Sequence, residues 1–241
     1  MSEPTTEPKP EPDIARNLAA VRARIDAAAR AAGRAPSAVR LLAVSKTKPS
    51  AAIVAAYRAG QRAFGENYAQ ELVGKHTELA ALAGVEWHFI GRLQSNKARL
   101  IAPIAAMVHA VDGARLADEL GKRALGRSIP LDVLVEVNVG EELSKGGVAA
   151  AGLGTLLAHI ESIASLRLRG LMSIPPALGG GAEAERSRPF HRRLRELRDE
   201  HGGVERLPEL SMGMTDDLEV AIAEGATIVR VGTAIFGARG G

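Results

Sequence analysis

The chain has 241 residues, 46% of them hydrophobic and 24% charged, with a formal net charge of +3, a length that holds one large domain or two small ones. It contains no cysteine, which excludes a disulfide framework, a thiolate metal site and a thiol nucleophile. Aromatic residues at 3% leave few stacking platforms for single-stranded nucleic acid, and no apolar run approaches the roughly 18 residues of a membrane span.

Residues 1–12 are acidic and proline-rich without an apolar h-region, so they read as a disordered tail rather than a signal peptide. From Ala15 a helical pattern runs to Gly33, with Leu18, Val21 and Ile25 as its apolar stripe. Strand-like and helix-like stretches then alternate. Strands are predicted over 41–46, 63–66, 86–91, 107–112, 131–138, 166–174, 209–212 and 227–237. Helices are predicted over 49–59, from Asn67, from Ser95 with that serine as cap, from Gly113, over 147–162 and 185–201, and from Thr215.

Such alternation argues for a parallel sheet. Eight strands is the number that closes an α/β (β/α)8 TIM barrel, here one domain over 13–241 with the extra N-terminal helix packed outside it or capping its base. An open doubly wound sheet is the alternative. It usually carries a glycine-rich phosphate turn after its first strand, whereas Thr47, Lys48, Pro49 and Ser50 follow the first strand here.

A barrel builds its site at the C-terminal strand ends and commonly holds phosphate on the loops after strands seven and eight. Those loops carry Ser211, Met212, Gly213 and Thr215, and Arg230, Gly232 and Thr233. Small hydroxyls beside glycines and bare N–H groups suit an anion; ordinary capping, with Thr215 at a helix start, is the structural alternative. Lys46 is the lysine that directly ends an apolar strand. An amine facing a phosphate site suggests a Schiff-base lysine for pyridoxal phosphate or an aldolase-type amine, against a lysine that merely snorkels over the sheet edge. Arg230 shares the inner face with Gly232. A cation buried there needs an acceptor, either a cofactor's pyridine nitrogen or a carboxylate such as Glu66. His88 and Asn96 flank the third strand's loop and could line the pocket, although a lone histidine more often sits satisfied in a core. His109 and His159 have no metal-ligand spacing, so no metal is expected. Lys145, on the loop after the fifth strand, reads as solvated.

Five stretches carry a resemblance: AlaValSerLysThrLysPro from Ala43, PheGlyGluAsnTyrAlaGlnGlu from Phe64, TrpHisPheIleGlyArgLeuGlnSerAsnLys from Trp87, LeuSerMetGlyMetThrAspAsp from Leu210, and ValArgValGlyThrAlaIlePheGly from Val229. Together, in that order, they resemble the pyridoxal 5′-phosphate homeostasis protein (YggS/PROSC) family over nearly the whole chain from about residue 15. The resemblance implies a barrel similar to the alanine racemase N-terminal domain. It implies pyridoxal 5′-phosphate on Lys46 as an internal aldimine, with its phosphate at Ser211, Met212, Gly232 and Thr233, Asn67 beside the ring and Arg230 toward the pyridine nitrogen. It further implies a cytoplasmic monomer without an established reaction, which buffers the cofactor or delivers it to apo pyridoxal phosphate enzymes and has no nucleic-acid or membrane partner. A racemase-like enzyme is the rival. Racemisation needs a base on each face of the cofactor, and Tyr57 and Tyr68 are the only tyrosines to oppose Lys46.

Overall fold

The computed structural model describes residues 13–140, 146–176 and 181–238. The predicted tail and Lys145 lie outside the described residues.

Eight parallel strands close in sequence order into one barrel. They are β1 (Arg40–Val44), β2 (Ala63–Glu66), β3 (Glu86–Phe89), β4 (Met107–Val111), β5 (Leu131–Glu136), β6 (Leu166–Met172), β7 (Glu209–Ser211) and β8 (Ile228–Val231). Closure comes from β1 pairing with β8, Arg40 opposite Ile228 and Ala43 opposite Val231. Alternation along each strand splits the apolar residues into two cores. Leu42, Ala63, Ile90, Met107, Leu134, Met172 and Ile228 fill the barrel. Their neighbours, such as Leu41, Ala43, Phe64, Val133 and Val135, face the helical layer. Strands buried on both faces give the continuous apolar runs that the sequence shows.

The ring comprises α2 (Ser50–Arg58), α3 (Ala69–Glu78), α4 (Ala98–Ile101), α5 (Ala114–Ala124), α6 (Ala150–Glu161), α7 (Arg188–Glu200), α8 (Gly203–Arg206), α9 (Leu218–Ala223) and α10 (Thr233–Phe236), preceded by α1 (Ile14–Ala31). The Asp13 carboxylate accepts the Arg16 N–H at 3.0 Å and caps α1. Its buried stripe of Ile14, Leu18, Val21, Ile25 and Ala29 recurs at helical spacing. This helix lies outside the barrel against α2, α9 and α10, so it does not cap the base. The reason is local: α10 is a single turn, and α1 supplies the covering layer beside the β8–β1 seam. Asn17 Nδ2 donates to the Ile235 carbonyl at 2.9 Å, and Arg24 Nη2 donates to the Thr215 carbonyl at 2.9 Å. Both loops expected to hold phosphate are therefore pinned by α1.

Several predicted boundaries differ, and four of them bear on the site and its flanks. The first strand ends at Val44, and Lys46 lies in the turn after it. The apolar run 227–237 is two elements, because the backbone leaves the strand at Gly232 (φ −118°, ψ −68°) and turns into α10. A Cβ on Gly232 would meet the Val44 carbonyl at 3.1 Å, so the turn brings two strand ends close together. Ser95 opens a short 3₁₀ turn without a side-chain cap. The helix expected from Thr215 begins at Leu218, behind Asp217. Among the described residues no helix is long and apolar enough to cross a membrane, and no cluster of histidine and carboxylate side chains could hold a metal ion.

Candidate functional site

A cavity of about 320 Å³ opens at the C-terminal ends of β1, β2, β7 and β8. Its wall includes Lys46, Lys48, Asn67, Thr215, Asp216, Arg230, Gly232 and Thr233, with Val44, Ile90, Ile174 and Met214 as the apolar part. Three cations against one carboxylate make the wall favourable to an anion.

Lys46 is presented by a tight turn in which the Lys48 N–H donates to the Ser45 carbonyl at 3.0 Å. Thr47 in that turn has φ +62°, a left-handed conformation that is strained for a β-branched residue. Such strain costs about 1–3 kcal/mol and persists only where the surroundings over-determine it. Here they do. The Thr47 N–H donates to Glu71 Oε1 at 2.6 Å. Lys75 Nζ, almost wholly buried, donates to the Ser45 carbonyl, Glu66 Oε1 and Glu71 Oε1 at 2.6–2.7 Å. Ser45 Oγ donates to Glu66 Oε1 at 2.6 Å. Burial pushes the Glu66 carboxyl up from its ordinary value, opposed by the hydrogen bonds from Lys75 and Ser45. On the opposite flank Lys48 Nζ donates to the carbonyls of Gly237 and Ala238 at 3.0 and 2.7 Å, tying the lysine turn to the loop after β8.

Arg230 is 5% exposed. Its Nη1 donates to the Ser211 carbonyl at 2.6 Å and Ser211 Oγ at 2.9 Å, and its Nη2 donates to the Ser173 carbonyl at 2.8 Å. Burial lowers its pKa to about 10, with Asp217 and Glu136 acting in the opposite sense. Glu66 is therefore not its acceptor; that carboxylate belongs to Lys75.

Of the residues singled out in the sequence, Lys46, Asn67, Arg230, Gly232 and Thr233 meet on the cavity wall. Ser211 and Met212 do not reach it. Both are fully buried; the Ser211 hydroxyl is engaged inside the barrel and the Met212 side chain packs in the outer core. The hydroxyl which that loop offers to the cavity is Thr215. Gly213 takes φ +88°, which breaks the strand alternation and turns Met214, Thr215 and Asp216 over the mouth. The Met214 N–H donates to Asp217 Oδ1 at 2.7 Å and closes the turn. Sequence reasoning had Thr215 on the candidate anion loop, with capping as the alternative, and placed the phosphate contact on Ser211 instead. It missed Lys48, whose lysine-proline setting gave no sign of facing inward, and the support from Lys75, which stands three residues after Leu72 on the buried side of α3. His88 and His109 are barrel-core residues. Tyr57 sits in the outer ring with its hydroxyl donating to the Ala83 carbonyl at 2.9 Å. Tyr68 lines a neighbouring groove with Arg92, Lys97 and Arg115.

The site's chemistry suits pyridoxal phosphate. It offers an amine at Lys46, hydroxyls at Thr215 and Thr233, a buried guanidinium at Arg230, and a buried Asn67 Oδ1 that has no hydrogen-bond partner among the described residues.

Fold and wall residues together define a barrel of the alanine racemase N-terminal domain class, and the family described as "Alanine racemase, N-terminal domain" matches residues 16–240. The pyridoxal phosphate homeostasis protein of Pseudomonas aeruginosa is 52% identical over 227 residues, covering 94% of this chain and 96% of its own length. The protein of the same name from Escherichia coli is 48% identical over 233 residues, covering 94% and 97%. The structure of PipY from Synechococcus elongatus with PLP bound superposes with a TM-score of 0.78 at 38% identity, covering 92% of this chain and 99% of that one. Alanine racemase from Corynebacterium glutamicum shares the fold, with a TM-score of 0.64 at 18% identity, covering 92% of this chain and 62% of that one. This chain belongs to the pyridoxal phosphate homeostasis protein family.

Proposed function

We propose that this protein binds pyridoxal 5′-phosphate covalently through Lys46, as a Schiff base, and serves as a cytoplasmic, monomeric reserve of the cofactor that passes it to apo-enzymes without turning over an amino acid. The observation that carries this reading is the meeting of Lys46, Arg230 and two hydroxyl-bearing loops in one cavity of about 320 Å³. The names of the relatives and the ligand in the PipY structure support it.

When bound, the cofactor supplies an aldehyde carbon for a lysine amine and an aromatic ring that withdraws electrons from what is attached there. The protein's part is positional. The Lys75 network holds the strained turn and so fixes where the Lys46 amine stands. Thr215 and Thr233 donate hydroxyl hydrogen bonds to the phosphate, joined by the peptide N–H groups at Gly232 and Thr233, while Lys48 adds charge nearby. Asn67 borders the ring. Arg230 on the cavity wall would hold the pyridine nitrogen, and a guanidinium donates without giving up its proton at neutral pH. A guanidinium placed there would leave that nitrogen without a proton and so would make the bound ring a weak electron sink. Opposing-face proton transfer also lacks a tyrosine, since Tyr57 is in the outer ring and Tyr68 lines the adjoining groove. Both features favour holding over catalysis.

Borohydride reduction of the cofactor-loaded protein followed by peptide mapping tests the reading. The reduced adduct is expected on Lys46. Its appearance on Lys48 or Lys97 instead, or the absence of a visible absorption band, would refute it.

A further inference from the structure

A line of polar side chains crosses the barrel interior beneath the cavity. Arg230 Nη1 lies 2.9 Å from Ser211 Oγ, which lies 2.9 Å from His109 Nδ1. His109 Nε2 lies 2.9 Å from His88 Nδ1. His88 Nε2 faces the Glu86 carboxylate at 3.7 Å, near the N-terminal end of β3. That last gap exceeds a hydrogen bond, so Glu86 orients the imidazole by charge. Ser211, His109 and His88 are at most 1% exposed. The line thus runs from the cavity wall to the opposite end of the barrel through β8, β7, β4 and β3.

The charged ends favour one direction for every proton. A guanidinium only donates and a carboxylate only accepts. Ser211 Oγ accepts from Arg230, which leaves its own proton for His109 Nδ1, the arrangement that also turns the His88 hydrogen toward Glu86. His109 then carries its hydrogen on Nε2 and donates to His88 Nδ1, and His88 carries its hydrogen on Nε2, directed at Glu86. The reverse arrangement would turn a bare His88 nitrogen toward a carboxylate and leave the Ser211 proton without its His109 acceptor. Burial disfavours the charged form of both imidazoles. Burial pushes His109 well below its ordinary pKa, with His88, Arg230 and Arg40 adding to the effect. Burial also lowers His88, opposed by Glu86.

We propose that His109, backed by His88, is a positioning residue for the cofactor site: it locks the Ser211 hydroxyl as an acceptor for Arg230 and so fixes the guanidinium against the pyridoxal phosphate ring. This deepens the reading above and rests on it. Arg230 is also held by the carbonyls of Ser211 and Ser173, so losing the hydroxyl's orientation tilts the guanidinium and does not release it.

Two experiments test it. Imidazole nitrogen NMR on histidine-labelled apo-protein should show both His88 and His109 as the neutral Nε2–H tautomer; an Nδ1–H form of His109 would overturn the proposal whatever the cofactor does. In the loaded protein, His109→Leu and Ser211→Ala should shift the visible band of the bound cofactor and speed its release severalfold. His109→Asn, whose Oδ1 takes the place of Nδ1, should restore both and covers the case in which the leucine variant fails to fold. His109→Leu should have no further effect in an Arg230→Lys background. If Arg230→Lys moves the band and His109→Leu does not, or moves it equally in both backgrounds, the proposal fails alone. If Arg230→Lys leaves the band unchanged, the placement of Arg230 beside the ring fails and takes the proposal with it.

Discussion

Replacing Lys75 with methionine should remove the support of the lysine turn at a large and pH-dependent cost. Lys75 Nζ holds Glu66 Oε1 at 2.7 Å, Glu71 Oε1 at 2.6 Å and the Ser45 carbonyl at 2.7 Å, and the Glu66 side chain has no solvent exposure. Removing one member of a buried ion pair leaves an uncompensated charge and costs about 3–5 kcal/mol. For a chain of this size that lowers Tm by roughly 6–20 °C, at about 2–4 °C per kcal/mol. The sign with pH follows from Glu66. Its folded-state pKa is already raised by burial, and without Lys75 it rises further. A carboxyl with a raised folded pKa favours the fold fully below its unfolded pKa and loses that contribution as pH rises through the folded value. The deficit of Lys75→Met is therefore smallest in mild acid, where Glu66 is protonated, and grows toward neutrality. Urea unfolding across that pH range, with cofactor affinity measured alongside, is the assay. Adding Glu66→Gln should recover part of the loss. A neutral-pH deficit below about 1 kcal/mol, well under that expected for a broken buried pair, or one that does not change with pH, would refute the reasoning.

Thr215→Ala and Thr233→Ala should each weaken cofactor binding by about 1.5–3 kcal/mol, roughly ten- to a hundredfold in Kd, with unfolding midpoints unchanged; a fluorescence titration indistinguishable from wild type would remove the phosphate from these loops. Gly213→Ala combines left-handed strain of about 1–2 kcal/mol with a Cβ placed 2.5 Å from that of Ala221, an overpacking cost of about 1–3 kcal/mol. It should lower both Tm and cofactor affinity, because it moves the turn that presents Thr215. The loaded protein incubated with L- or D-alanine in deuterium oxide should show no turnover-level α-deuteration. Exchange abolished by Tyr68→Phe would identify an enzyme.

The architecture was legible because burial on both faces writes a parallel strand as a short apolar run, and such runs alternated with helical spacing from Arg40 to Val231. The order of the runs placed Lys46, Arg230 and Gly232 at one end of the barrel, and alternation put Arg230 and Gly232 on its inner face. Inside an apolar run, however, only Gly232 marked the change from strand to turn, and the strand prediction ran on to 237 because Ile235 and Phe236 are as apolar and as buried as the strand before them. Ser211 ends β7 and Thr215 lies on the loop after it, and the left-handed backbone at Gly213 decides which of these small hydroxyls faces the cavity. His88 and His109 lie 21 residues apart; their contact exists because β3 pairs with β4, whose register against β5 shifts between Val108 and Val111. Lys75 follows Leu72 at helical spacing on α3, but only the packing of that helix beside the first two strand ends set its amine against Glu66. The sequence by itself determined the period of each element and therefore the barrel and the ends of its strands. Which polar groups meet across that barrel was decided by strand closure and backbone turns, because side-chain direction depends on dihedral angles and register that residue identity does not specify.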